Sequence, residues 1–259
     1  FFAVAPAAAQ DCERGTLDER YCDVDGDLVA DTPTDPSQLV DPETLIFAYT
    51  PVEDPAVYKE AWSDFLVHME KLTGKKTLFF PVQNNAAQIE AMRSGRLHIA
   101  GFNTGSNPLA VNCAGFNPFT IMASKDGGFG YEMEIITYPD SGIETPADLA
   151  GRQLAFTSPT SNSGFKAPST LLLSEFGLNA GDDYRTTYSG SHDNSILGVV
   201  NSDYEAAAVA NEVLRRMQGR DVVRAEQYRS IYKSLTFPTT AYGIAHNLHP
   251  LLAQQIRDA

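Results

Sequence analysis

Positive charge is scarce in this chain. Lys and Arg number 19 against 33 Asp and Glu in 259 residues, a formal net charge of −14. A surface of that sign repels nucleic acid and anionic lipid, and excludes both as expected partners. It does not exclude an anionic ligand, because neutral donors and helix N-termini can hold an anion in an enclosed site. Long apolar runs are also missing, and none reaches the roughly 18 consecutive residues of a membrane span. There is no G-x-x-x-x-G-K-[ST] phosphate loop, no H-E-x-x-H and no G-x-S-x-G elbow. Gly127-Gly128-Phe129-Gly130 lacks the strand–turn–helix setting of a dinucleotide site. His192 beside Asp193 can be drawn as a catalytic group, but adjacent residues at a helix start seldom point at one another. The expectation is a protein that is not an enzyme.

Cysteine is sparse too, at three residues. Cys12 and Cys22 lie close together in a polar segment and are expected to close a small disulfide in an oxidising compartment. Cys113 is left over, as a buried small hydrophobe, a reactive thiol or half of another pair. The chain opens on apolar residues running into Ala7-Ala8-Ala9 and then polar Gln10, which reads as the tail of a secretory signal peptide over residues 1–9. A flexible Ala-rich leader is the plainer alternative.

Residues 10–43 form an acidic, proline-bearing extension without apolar periodicity. Within it Asp23, Asp25, Asp27 and Asp31 surround Gly26. Carboxylates at alternate positions around a glycine turn are how calcium loops collect oxygens on one hard cation, although the closing Glu of a full EF-hand is absent. The alternatives are a structural calcium site and a solvated acidic linker. No other cofactor is expected.

From residue 44 short apolar strands alternate with amphipathic helices. A strand over 45–49 precedes a helix begun by Asp54 and Pro55, whose apolar residues Tyr58, Trp62, Phe65, Leu66, Met69 and Leu72 recur at three- and four-residue steps. The rhythm continues with strands at 77–82, 97–102, 131–138, 153–157, 184–189 and 205–210 and helices between them. Such alternation predicts parallel-rich sheets with helices on both faces. Ligands in those sheets bind beyond the carboxyl ends of the strands. Four polar loops fall there: 49–50, 103–107, 158–164 and 189–194. One shared site is the expectation.

The loop at 158–164 carries four Ser or Thr residues in the six positions 158–163, directly before a helix. Capping explains one hydroxyl, not four. Together with the unpaired first N–H groups of the helix they make an oxyanion cradle. His192, at a second strand-to-helix turn, is a candidate ring N–H donor, with a satisfied structural histidine as the plain alternative.

These pieces carry a resemblance. Asp140-Ser141-Gly142-Ile143, Asp148-Leu149-Ala150-Gly151, Ser161-Asn162-Ser163-Gly164, Ser189-Gly190-Ser191-His192-Asp193 and Tyr204-Glu205-Ala206-Ala207-Ala208-Val209 follow one another in the order and spacing of the phosphate/phosphite/phosphonate-binding proteins of ABC importers. Residues 44–259 resemble that family. The resemblance implies an α/β, two-lobed periplasmic binding protein of the type II, Venus-flytrap kind, with parallel-rich sheets flanked by helices and two hinge crossings. It implies a periplasmic, monomeric protein that closes on a small oxyanion and delivers it to a membrane permease. Lobe 1 is expected at 44–135 and 239–259, continuing past the last residue, and lobe 2 at 136–238. By the same resemblance Ser161, Asn162, Ser163 and His192 contact ligand from lobe 2, and Tyr49, Thr104 and Ser106 from lobe 1. Glu212 matches an acid that contacts the amine of aminophosphonates.

Three departures from the family pattern bear on the ligand. Asn162 replaces a hydroxyl in the usual Ser-Thr-Ser, loop 102–108 lacks a tyrosine, and the stretch 238–242 has no carboxylate. They favour phosphate, phosphite or a simple alkylphosphonate over aminoethylphosphonate. Two alternatives remain at this level. One is a periplasmic arsenite sensor of the same fold using the soft Cys113 thiolate, and the other a phosphate-ester or phosphonate hydrolase.

Overall fold

The computed structural model describes residues 12–54, 56–125 and 127–259. The expected leader at 1–9 and Pro55 at the first helix start lie outside the described residues. Twelve strands are named here in chain order: β1 Thr44–Tyr49, β2 Lys76–Phe79, β3 Ile99–Phe102, β4 Phe116–Ile121, β5 Gly130–Tyr131, β6 Met133–Thr137, β7 Gln153–Phe156, β8 Arg185–Tyr188, β9 Ala206–Ala210, β10 Arg229–Lys233, β11 Phe237–Pro238 and β12 Ala241–Ala245. The α-helices among the described residues are α1 Ala56–Ala61, α2 Ser63–Thr73, α3 Asn85–Arg93, α4 Asn107–Ala114, α5 Ala167–Phe176, α6 His192–Val200, α7 Asn211–Gly219 and α8 Pro250–Arg257.

The strands form two five-stranded sheets, one per lobe, in the orders β2-β1-β3-β12-β4 and β10-β6-β9-β7-β8. Each is mixed. In the first, β1 runs parallel to β2 and β3 while β12 is antiparallel to β3 and β4. In the second, β7 is parallel to β8 and β9 while β6 is antiparallel to β9 and β10. Antiparallel pairs arise where the chain returns from the other lobe. The crossing is a two-stranded ribbon, β5 against β11. The whole of β6 belongs to the second sheet. The first crossing therefore precedes Met133, and the expected boundary at 135/136 would cut a paired strand.

The core of lobe 1 gathers on β1. Phe47 is fully buried and packs against Trp62, Phe65 and Phe79, an arrangement whose truncation to Ala costs about 3–5 kcal/mol. The run expected as one helix is interrupted at Trp62, giving α1 and α2. The Trp62 ring also meets Tyr49 and Tyr242, so the break falls at a partly buried residue whose ring packs against the lobe 1 core. In lobe 2 the five residues of β9, four of them Ala, are all buried. Their small side chains let α6 and the turn before α5 pack closely on the strand.

The acidic extension is not a free linker. Cys12 and Cys22 are joined in a disulfide. Leu17, Tyr21 and Ala30 form a small core with Val111 of α4, and the Asp18 N–H donates to the Asn112 carbonyl at 2.7 Å.

Candidate functional site

The carboxyl ends of β1, β3, β7, β8 and β9 face one another across the cleft between the sheets. There they enclose a cavity of about 40 Å³. One water needs roughly 10–15 Å³ on such a measure, so the space suits a group of a few heavy atoms. Tyr49, Thr104, Ser161, Asn162, Ser163, His192 and Glu212 all line it. The structure thus brings together seven of the eight residues expected at the site.

Ser106 is the exception. It is fully buried, and its hydroxyl donates to the Asn103 carbonyl at 3.2 Å, inside the turn that starts α4. A serine in that position satisfies its own turn in preference to a ligand. Cys113, on α4, is half-buried and is not among the lining residues.

The hydroxyl-rich loop after β7 enters a single π-helical turn, Asn162–Lys166, before α5 begins. Ser161 caps it, accepting the Gly164 N–H at 3.0 Å. The N–H groups of Asn162 and Ser163 precede any intrahelical acceptor. Asn162 and Ser163, whose hydroxyl is buried, both line the cavity. Asn162 Nδ2 donates to the Tyr131 hydroxyl at 3.1 Å, which leaves the Tyr131 O–H free to donate into the cavity that Tyr131 also lines.

His192 is buried, and its Nδ1 accepts the Ala210 N–H at 3.1 Å. The other ring nitrogen therefore carries the proton, and Nε2–H is the donor on offer. Burial pushes its pKa down to about 4, opposed by Asp193 and reinforced by Arg216. The ring is neutral at neutral pH. Hydrogen bonding thus serves as both a structural anchor and a tautomer lock, so the two readings of this histidine are compatible.

From lobe 1, the Tyr49 hydroxyl shares a hydrogen bond with Thr240 at 3.4 Å. Thr104 donates to the Pro238 carbonyl at 2.7 Å, so toward a ligand its oxygen can only accept. Asn103, Tyr131, Arg216, Thr239 and Thr240 line the cavity without having been singled out from sequence. Arg216 sits one turn after Glu212 on α7, 3.9 Å from its carboxylate, and its main partner is Glu53 of lobe 1 at 2.7 Å.

Other contacts also cross the cleft. Asn85 Nδ2 donates to Thr160 at 2.9 Å, Lys166 Nζ to the Gly105 carbonyl at 2.6 Å, and the His192 N–H to the Val52 carbonyl at 3.1 Å. The lobes are closed on one another. What this arrangement can do is surround a small anion with neutral donors and the Arg216 guanidinium, while Thr104 and Glu212 offer acceptors. No helix among the described residues is long and apolar enough to cross a membrane.

The family model for the periplasmic substrate-binding protein of phosphonate ABC transporters matches residues 47–259. The phosphate-import protein PhnD of Mycolicibacterium smegmatis is 26% identical over 226 residues, covering 83% of this chain and 70% of that protein. Among solved structures, the binding protein component of an ABC phosphonate transporter from Pseudomonas aeruginosa superposes with a TM-score of 0.78 at 24% identity, covering 84% of this chain and 74% of that one. PhnD1 from Prochlorococcus marinus, solved with methylphosphonate, gives 0.73 at 16% identity and covers 84% of each chain. At those identities the structures speak for the fold.

Proposed function

Because the chain belongs to the periplasmic substrate-binding proteins of phosphonate ABC transporters, a non-enzymatic transport component, we propose that its cleft captures a small phosphonate, phosphite or phosphate for delivery to the membrane permease. The observation that carries this reading is the composition of the closed cavity: hydroxyl, amide and ring N–H donors from both lobes, with Arg216 also in the lining, around about 40 Å³. Ser163, the Asn162 and Ser163 N–H groups, Tyr131 and the His192 Nε2–H hold the phosphorus oxygens. Tyr49 and Thr240 complete the enclosure from lobe 1. The ligand bridges the lobes and stabilises the closed form that the permease recognises.

Two features narrow the class. Thr104 can accept a hydrogen bond from a protonated phosphorus oxygen, which sulfate lacks. Val52, Ala210 and Val213 give the cavity an apolar wall suited to P–H or P–CH₃. Glu212 is paired with Arg216 and has no second acid beside it in the lining, which disfavours an ammonium-bearing ligand. The arsenite alternative has no thiol in the cavity.

The test is calorimetric titration with methylphosphonate, phosphite, phosphate, aminoethylphosphonate and sulfate. Saturable 1:1 binding of one of the first three, with none of sulfate, supports the reading. Binding of aminoethylphosphonate alone, or of sulfate equally, would overturn it.

A further inference from the structure

The acidic loop of the extension precedes the residues matched by the family model, 47–259, and ligand capture uses none of it. In the structure one carboxylate oxygen from each of Asp23, Asp25 and Asp27 lies within 4.8 Å of the other two. Asp23 is only 5% exposed. Its Oδ2 accepts the Leu28 N–H at 3.2 Å, while its Oδ1 is buried with no hydrogen-bond partner. None of the ion pairs among the described residues involves these three carboxylates. A buried carboxylate oxygen with neither donor nor cation is costly and rare. Its own loop supplies two further acids instead of a base.

We infer that Asp23, Asp25 and Asp27 bind one calcium ion, which orders the N-terminal extension against lobe 1. The donors are all hard oxygens, which selects against soft metals. Calcium takes oxygens at 2.3–2.6 Å, so two ligands on opposite sides of the ion lie about 4.8 Å apart. Three carboxylate oxygens that all lie within that separation are compatible with one shared ion. Magnesium demands near-ideal octahedral geometry and gives up its waters reluctantly, whereas calcium accepts an irregular set of oxygens such as this loop offers. Asp31, expected from sequence as a fourth ligand, instead accepts the Val24 N–H at 2.8 Å and closes the loop from outside the cluster.

The position of the loop gives the ion its role. Asp23 directly follows Cys22, which is bonded to Cys12. Tyr21 packs edge-on against His246 of lobe 1, with ring centroids 4.9 Å apart. Calcium would hold this brace in place without touching the ligand cavity. This inference is independent of the ligand reading.

The test uses the full chain stripped with chelator and then titrated with calcium or magnesium. One calcium per chain is expected, with a melting temperature raised by about 5–10 °C at a hundredfold excess over Kd, and a smaller response to magnesium. Asp25 and Asp27 are exposed, so the Asp25→Asn/Asp27→Asn variant should fold and melt like the stripped wild type. It should lose the calcium shift while keeping its oxyanion affinity. Failure of the wild type to take up calcium, or an equal calcium shift in the double variant, overturns the inference.

Discussion

Glu53, on the loop after β1, is 1% exposed and meets Arg216 of α7 at 2.7 Å, so the most buried carboxylate in lobe 1 finds its counter-charge in lobe 2. Arg220 engages the other carboxylate oxygen. In an open cleft Glu53 would face water without either arginine. The pair therefore contributes to closure specifically. Both arginines remain about 40% exposed, which lowers the value of the pair below that of a fully buried one. Glu53→Gln is expected to weaken oxyanion affinity about tenfold by calorimetry, with scattering reporting a more open ligand-free ensemble. Unchanged affinity would mean the pair does not discriminate open from closed.

Gly105 gives a second handle on closure. A Cβ there would collide with the Thr160 carbonyl oxygen and lie 2.6 Å from the Asn162 nitrogen, both on the opposite lobe. The clash exists only when the cleft is shut. Gly105→Ala is therefore expected to leave the melting temperature of the ligand-free protein within about 2 °C while reducing affinity more than tenfold. A large loss of ligand-free stability with normal binding would place the cost elsewhere.

Much of this site was legible because helix starts after strands announce themselves chemically. Four hydroxyl residues before α5 and a histidine at the first position of α6 need no tertiary information. Tyr131 was not legible. It follows a glycine cluster, and its direction is set by pairing with Phe237 across the ribbon, more than a hundred residues away. Arg216 reads in sequence as an ordinary solvated charge on α7, since its buried partner Glu53 lies in the other lobe. Ser106 misled for the opposite reason, because loop position alone cannot tell a hydroxyl that faces a ligand from one that closes its own turn. The alternation of strands and helices revealed the architecture, but the antiparallel members β6 and β12 follow from lobe crossings that local periodicity does not encode.

Glu212 lines the cavity beside Arg216, and its charge opposes any anion held there. Removing that charge while keeping the side chain should favour the oxyanion. Glu212→Gln is expected to raise affinity for phosphate and methylphosphonate about three- to tenfold and to abolish any residual aminoethylphosphonate binding. Calorimetry on the three ligands separates this from a structural effect, which would lower all three affinities together.

The buried histidines make the protein sensitive to mild acid. Burial pushes both His192 and His246 down to about 4, against about 6.5 for the unfolded chain. His98 is lowered by the same cause. Between those values the unfolded state binds the proton and the folded state does not. Stability is therefore fully present above about pH 6.5 and is lost as pH falls toward 4, at up to about 1.4 kcal/mol per pH unit for each histidine. Around His192 the charged neighbours are Asp193, which favours protonation, and Arg216, which opposes it. In His192→Asn the side-chain oxygen can take over acceptance of the Ala210 N–H, so the variant should fold. Its ligand-free melting temperature should fall less steeply between pH 6.5 and 4.5 than that of the wild type. Parallel curves for the two proteins would mean that His192 reaches water or a proton partner well before the fold is lost.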